Sequence, residues 1–161
     1  MTQWLSQDEQ IAWRAYLRGQ RLLEDALDRD LQEHGVSLTE YEILSMLSEQ
    51  EGRCLRMSEL ASLVVQSRSR LTHTATRLAS RGLVERRPVP GDGRGVLLTL
   101  TDDGLDLVRQ LAPVHVGSVR SHWLDSLTPD LVAALGDAMA RVCADNGTTN
   151  EQAAERERLR R

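Results

Sequence analysis

The sequence predicts a mainly α fold carrying one small β-hairpin, on three observations. Apolar residues recur at three- and four-residue steps near both ends of the chain, the period of amphipathic helices. Between them lie a short helix, a tight turn and a longer helix, a compact helix-turn-helix unit. The period then switches to extended runs on either side of a glycine-rich hexapeptide, the pattern of a hairpin.

The first helix runs from about Asp8 to Glu33, where Ala12, Ala15, Tyr16, Leu22, Leu23, Ala26, Leu27 and Leu31 make one stripe, and Gly35 ends it. Thr39 and Glu42 have capping-box spacing and open a second helix carrying Tyr41, Ile43, Leu44 and Leu47. A short helix from Ser58 to Val64 follows a polar loop; Val65-Gln66-Ser67 is the turn, and Arg68 to Arg81 the longer helix, stopped by Gly82. Leu83 to Val89 and Val96 to Leu100 are the strands, bracketing Pro90-Gly91-Asp92-Gly93-Arg94-Gly95. Thr101 caps a long helix through Val119 to Leu124, kinked or interrupted at Pro113, and Thr128-Pro129 opens a last one. Residues 146–161 read as a polar tail on a single domain spanning 1–145.

At 161 residues and 18.0 kDa the chain supports one real core and not two. Its 40% apolar and 27% charged residues are ordinary for a soluble protein, and no apolar stretch approaches the ~20 residues that span a bilayer. Met1-Thr2-Gln3-Trp4 lacks the features of an export signal, so a cytoplasmic location is expected. Cys54 and Cys143 are too few for a disulfide framework.

The basic side chains are all arginine, whose planar fork suits phosphates and guanine edges. The net charge of -4 conceals a division. Between Arg53 and Arg94 nine arginines face three acids, while the remainder is strongly acidic. A basic segment on an acidic body attracts nucleic acid at one surface and repels it elsewhere.

On a helical wheel of residues 68–81, Leu71, Ala75, Leu78 and Ala79 fall on one side. Ser69, His73, Thr76 and Ser80 fall on the other, flanked by Arg70 and Arg77. No acid occurs in this helix, whereas a solvated face ordinarily mixes signs; a polyanion explains the pattern better. Ser67 as N-cap leaves the positive helix end near a phosphate. At the hairpin tip Arg94 follows Asp92 by two residues, so the carboxylate can orient the guanidinium toward a narrow minor groove.

Three segments carry a family likeness: Arg56-Met57-Ser58-Glu59-Leu60-Ala61, residues 67–84, and Gly91-Asp92-Gly93-Arg94 leading into Leu98-Thr99-Leu100-Thr101-Asp102-Asp103-Gly104. In these, and in the order of elements from Gln10 to Cys143, the chain resembles the MarR family of bacterial regulators. The resemblance implies a winged helix-turn-helix whose hairpin is the wing, with long terminal dimerisation helices, about 8–34 and 101–145, around a DNA-binding lobe at about 39–100. It implies a homodimer on double-stranded DNA with a pseudo-palindromic operator. Ser67, Arg68, Ser69, Arg70, Thr72, His73, Thr76, Arg77 and Arg81 would belong to the recognition helix, and Arg87, Asp92 and Arg94 to the wing. Gly93 departs from the larger polar residue common there. The terminal helices also carry more apolar surface than one ~90-residue lobe covers, an independent reason to expect pairing.

The resemblance further implies a small aromatic or anionic ligand, for which Trp13, Tyr16 and Tyr41 could line a pocket, with Arg14, Arg18 and Arg21 nearby. Aromatics at helical spacing are more often core. His34, His115 and His122 lack metal-ligand spacing and read as structural or solvated, and Cys54 beside Arg53 and Arg56 has no resolving cysteine near it in sequence and reads as an ordinary free thiol; a metal- or redox-responsive regulator of the same fold is the alternative to control by a small ligand. A winged helix serving protein contacts alone is a further one. No cofactor or metal site is expected, and neither a catalytic triad nor a phosphate loop argues for an enzyme.

Overall fold

The computed structural model describes residues 1–89 and 91–146, and of residues 93 and 94 the backbone alone. Among the described residues six α-helices and three strands follow in the order α1 (Gln7–Gln32), α2 (Leu38–Ser48), β1 (Cys54–Arg56), α3 (Met57–Leu63), α4 (Arg68–Ser80), β2 (Val84–Val89), β3 (Asp92–Leu100), α5 (Asp102–His122) and α6 (Pro129–Asn146). Beyond residue 146 the polar tail lies outside the described residues, as does Pro90 at the hairpin tip.

Local chemistry sets the helix starts. Ser6 and Glu9 form a reciprocal capping box at α1, Ser67 accepts from the Arg70 N–H at α4, and Thr101 accepts from the Gly104 N–H at α5. Each such cap stabilises by about 1 kcal/mol. The start of α2 differs from expectation: the capping box is Ser37 with Glu40, not Thr39 with Glu42. Both pairs have the same spacing, and the earlier one prevails because the Leu38 N–H also donates to Asp28 of α1 at 2.7 Å, fixing where the chain turns into the helix. Helix α5 runs unbroken past Pro113 to His122.

A second difference is β1. Residues 54–56, expected in a polar loop, pair antiparallel with β3 (Cys54 opposite Thr99, Arg56 opposite Leu97), giving a three-stranded sheet of order β1-β3-β2. Three residues carry no readable alternation; they become a strand because β3 offers them an edge.

The main core lies under this sheet, with Ile43, Leu44, Leu47, Leu60, Leu71, Leu78 and Leu98 wholly buried from α2, α3, α4 and β3. A smaller cluster of Leu31, Val36, Tyr41 and Leu111 joins α1, α2 and α5. The terminal part is different. Helix α6 buries none of its residues, and Ile11, Trp13, Leu22, Leu131 and Val142 are all exposed.

Candidate nucleic-acid interface

Helix α4 turns its apolar side inward and its polar side out. Leu71, Thr74, Ala75 and Leu78 are buried, whereas Arg68, Ser69, Arg70, Thr72, His73, Thr76, Arg77 and Ser80 are exposed. The turn before it is held by Val65 at φ 49°, a left-handed conformation that a β-branched residue tolerates poorly. That strain persists because α3 and α4 are both anchored in the core on either side of it. Within α4, Thr72 and Thr76 donate back to the Arg68 and Thr72 carbonyls at 2.8 Å each. Their methyl groups and hydroxyl lone pairs remain on the exposed face.

The arginines divide by partner. The Arg77 Nε donates to Glu40 Oε1 at 2.8 Å, and the Arg81 guanidinium stands 3.6 Å from Glu40 Oε2. Glu40 lies on α2 and is only 4% exposed. Burial alone would raise its carboxyl; the hydrogen bond from the Ser37 backbone and the Arg77 and Arg81 charges outweigh that and hold it below the ordinary value. On the hairpin, Arg87 pairs with Glu85 on its own strand, and Arg86 reaches across to donate to the Thr76 hydroxyl at 3.3 Å.

Asp92 meets Arg56 at 3.1 Å and accepts the Gly95 N–H at 3.1 Å. The expected role of Asp92 in aiming Arg94 concerns a side chain outside the described residues. Between α3, α4 and the hairpin opens a cleft of about 350 Å³ lined by Arg56, Ser58, Arg68, Thr72, Arg86 and Asp92. Three guanidiniums and two hydroxyls against one carboxylate make it a fit for a phosphodiester. Sequence reading missed Arg56, Arg86 and Glu40 here. For Glu40 a signal existed in its capping-box spacing from Ser37; for the two arginines the partners lie far away in sequence.

The three aromatics expected in one pocket do not come together. Trp13 and Tyr16 stack on each other on exposed α1, ring centroids 6.0 Å apart. Tyr41 instead packs on His115 of α5 at 4.7 Å, beside a cavity of about 810 Å³. Amphipathic spacing placed Tyr16 and Tyr41 on compatible helices, but Tyr16 faces an apolar hollow with Leu22, Leu23, Trp123, Leu135 and Met139. The Tyr41 cavity is acidic, with Glu24, Asp25, Asp28, Glu42 and Glu49 against Arg70. Burial and the Glu24 charge raise the Glu42 carboxyl, and burial lowers His115.

The histidines separate likewise: His115 faces Tyr41, and His122 pairs with Asp30 at 3.0 Å. Among the described residues no cluster of three or more His, Cys, Asp or Glu could hold a metal ion, and no helix is long and apolar enough to cross a membrane. Cys54 is half-buried in β1, and its arginine neighbours are engaged, Arg53 with Asp102 and Arg56 with Asp92.

Residues 34–95, the stretch from α2 through the hairpin tip, match the pattern of the MarR family. The chain is 31% identical over 103 residues to the transcriptional repressor MprA of Escherichia coli K12; the match covers 64% of this chain but spans only 58% of MprA. Two solved structures cover nearly their whole length. AbsC, a MarR family transcriptional regulator from Streptomyces coelicolor, is 44% identical with a TM-score of 0.84, over 89% of this chain and 97% of AbsC. Sco3205 from the same organism, solved in complex with DNA, is 41% identical with a TM-score of 0.87, over 92% of this chain and 94% of its own. With a sheet, a helix-turn-helix and flanking helices arranged as in these neighbours, the chain belongs to the MarR family of transcriptional regulators.

Proposed function

We propose that this chain is a sequence-specific DNA-binding regulator of transcription, a repressor that grips a pseudo-palindromic operator as a homodimer. The observation that carries this is the exposed face of α4, which holds Ser69, Arg70, His73, Thr76 and Arg77 and no acid. Set in the major groove, that face reads base edges through Arg70 and His73, while Ser67, Arg68, Ser69, Thr72 and Arg81 hold phosphates. Arg87, Asp92 and Arg94 act from the wing, and the cleft between Arg56, Arg68 and Arg86 seats a backbone phosphate. The Sco3205 complex with DNA and the repressor MprA support this assignment. No catalytic role is proposed.

The exposed apolar residues of α1 and α6 are the reason to assign a second copy as their cover. Two-fold pairing then sets the recognition helices about one DNA turn apart, ~10 bp. Control by a small ligand fits the Tyr41–His115 cavity. Its carboxylates disfavour the anionic ligand expected from the sequence and leave a neutral or basic aromatic as the better match.

A gel shift of the full chain on genomic fragments at several salt concentrations tests the function. Retention of particular fragments against excess competitor DNA is expected, with affinity falling steeply as salt rises. Uniform weak retention of every fragment, or none, would remove it.

A further inference from the structure

We propose that Glu40 is a specificity-determining positioning residue: from its buried seat on α2 it restrains Arg77 and Arg81, so that they serve the operator and not any passing phosphate. The inference rests on α4 being the recognition helix.

Three observations carry it. Glu40 is fixed before any arginine reaches it, because its Oε2 accepts the Ser37 backbone N–H at 2.9 Å while the Ser37 hydroxyl accepts the Glu40 N–H at 3.2 Å. The turn that presents it is pinned in addition by Asp28 of α1 through the Leu38 N–H. Both oxygens then face α4, Oε1 toward Arg77 Nε at 2.8 Å and Oε2 toward Arg81 at 3.6 Å. These arginines stand four residues apart, one helical turn, so one carboxylate serves both.

The consequence follows from guanidinium geometry. An arginine bound through Nε keeps its other N–H donors and loses its freedom of direction. The Arg77 side chain is still 60% exposed, so its terminal donors stay available to DNA. Held this way it rewards a phosphate or base only in one position, whereas an unrestrained arginine follows the nearest phosphate of any sequence. The negative charge acts in the same direction: it cancels part of the attraction that supplies indiscriminate binding. Glu40 therefore lowers non-specific affinity more than operator affinity.

The test compares the full chain with Glu40→Gln on two probes: a duplex selected by the native chain from random DNA, and poly(dI-dC). Glu40→Gln is expected to bind poly(dI-dC) about tenfold more tightly, with a salt slope steeper by one to two phosphate equivalents per protomer. Operator affinity should be level or weaker, so the ratio of the two falls at least tenfold. In the Glu40→Gln/Arg77→Gln/Arg81→Gln chain the excess affinity for poly(dI-dC) should vanish, because Glu40 acts through those arginines. An unchanged ratio with a lowered melting temperature would mean a purely structural residue and overturn the proposal. A second measurement needs no variant: in the free native chain the Arg77 Nε–H should exchange with water at least tenfold more slowly than that of Arg68. Equal rates would also overturn it. Failure of the native chain to select any sequence would instead remove the recognition-helix reading itself.

Discussion

The Arg56 guanidinium and the Asp92 carboxylate meet at 3.1 Å, tying the junction of β1 and α3 to the far end of the hairpin. The same carboxylate accepts the Gly95 N–H, so one side chain fixes both the base of the tip and its link to the helix-turn-helix unit. Asp92 is thus a brace for the wing. Removing a negative charge beside DNA would by electrostatics tighten binding; removing a brace loosens the wing and weakens it. Asp92→Ala should therefore weaken operator binding, and Arg56→Ala should do the same. The double variant should be weaker than either single by less than the sum, since the two share one contact. Affinities of the three variants at fixed salt decide this; tighter binding by Asp92→Ala would show that charge and not bracing governs the site.

Gly104 sets how closely α5 approaches the sheet. A Cβ at this position would stand 2.2 Å from the Leu83 carbonyl oxygen, a backbone atom that cannot swing aside. Helix propensity alone predicts that Gly104→Ala stabilises by about 1 kcal/mol. Overpacking predicts a loss of about 1–3 kcal/mol, and the short distance to backbone makes this the larger effect. Urea unfolding should show a lower midpoint for Gly104→Ala; a raised midpoint would mean that α5 shifts without cost.

The pairing of α1 with α5 has its own pH signature. Asp30 on α1 accepts from the Ser118 hydroxyl and from His122 on α5, and its carboxyl is held below the ordinary value of 3.8, mainly by the Ser118 hydrogen bond. A depressed carboxylate contributes stability above its unfolded pKa and loses it as pH falls through the folded one. Ser118→Ala should cost about 1 kcal/mol near neutrality. The gap between variant and native chain should then narrow as pH drops below 3.8, the unfolded value of Asp30. Thermal melts across that range check it, and a constant gap would show that the loss is one of packing alone.

Helix α6 should exist to be covered. It buries no residue within the chain, and Leu131 and Val142 on it are 53% and 49% exposed. With a second copy as the proposed cover, the full chain should sediment as a dimer, and removal of residues 128–161 should leave monomers or aggregates with little DNA affinity. A truncated chain that remains a soluble dimer with normal binding would place the interface elsewhere.

Periodicity made the long elements legible, since α1, α4 and α5 each carry an apolar stripe or a cap that depends only on near neighbours. What it could not supply were contacts between distant segments. Cys54 to Arg56 become a strand only because Leu97 to Thr99 lie alongside, and nothing in three residues announces that. Arg56 and Asp92 are 36 positions apart, Glu40 and Arg77 are 37, and each residue reads in isolation as an ordinary surface charge. The separation of the three aromatics has a related reason. Helical phase told which way Trp13, Tyr16 and Tyr41 point along their own helices, but not where along α1 the contact with α2 falls: Tyr41 packs with Leu31 near the end of α1 and with His115, while Trp13 and Tyr16 stack on each other 15 or more residues earlier.

Selection of binding sites from random duplex DNA, run in parallel with the native chain, Arg70→Ala and His73→Ala, tests the assignment of α4 most directly. The native chain should enrich a pseudo-palindrome whose half-sites are centred ~10 bp apart. Each variant should keep the spacing but lose discrimination by ~1–3 kcal/mol at particular base positions within the half-site. Recovery of the same sequence by all three proteins would contradict the placement of this helix face in the major groove.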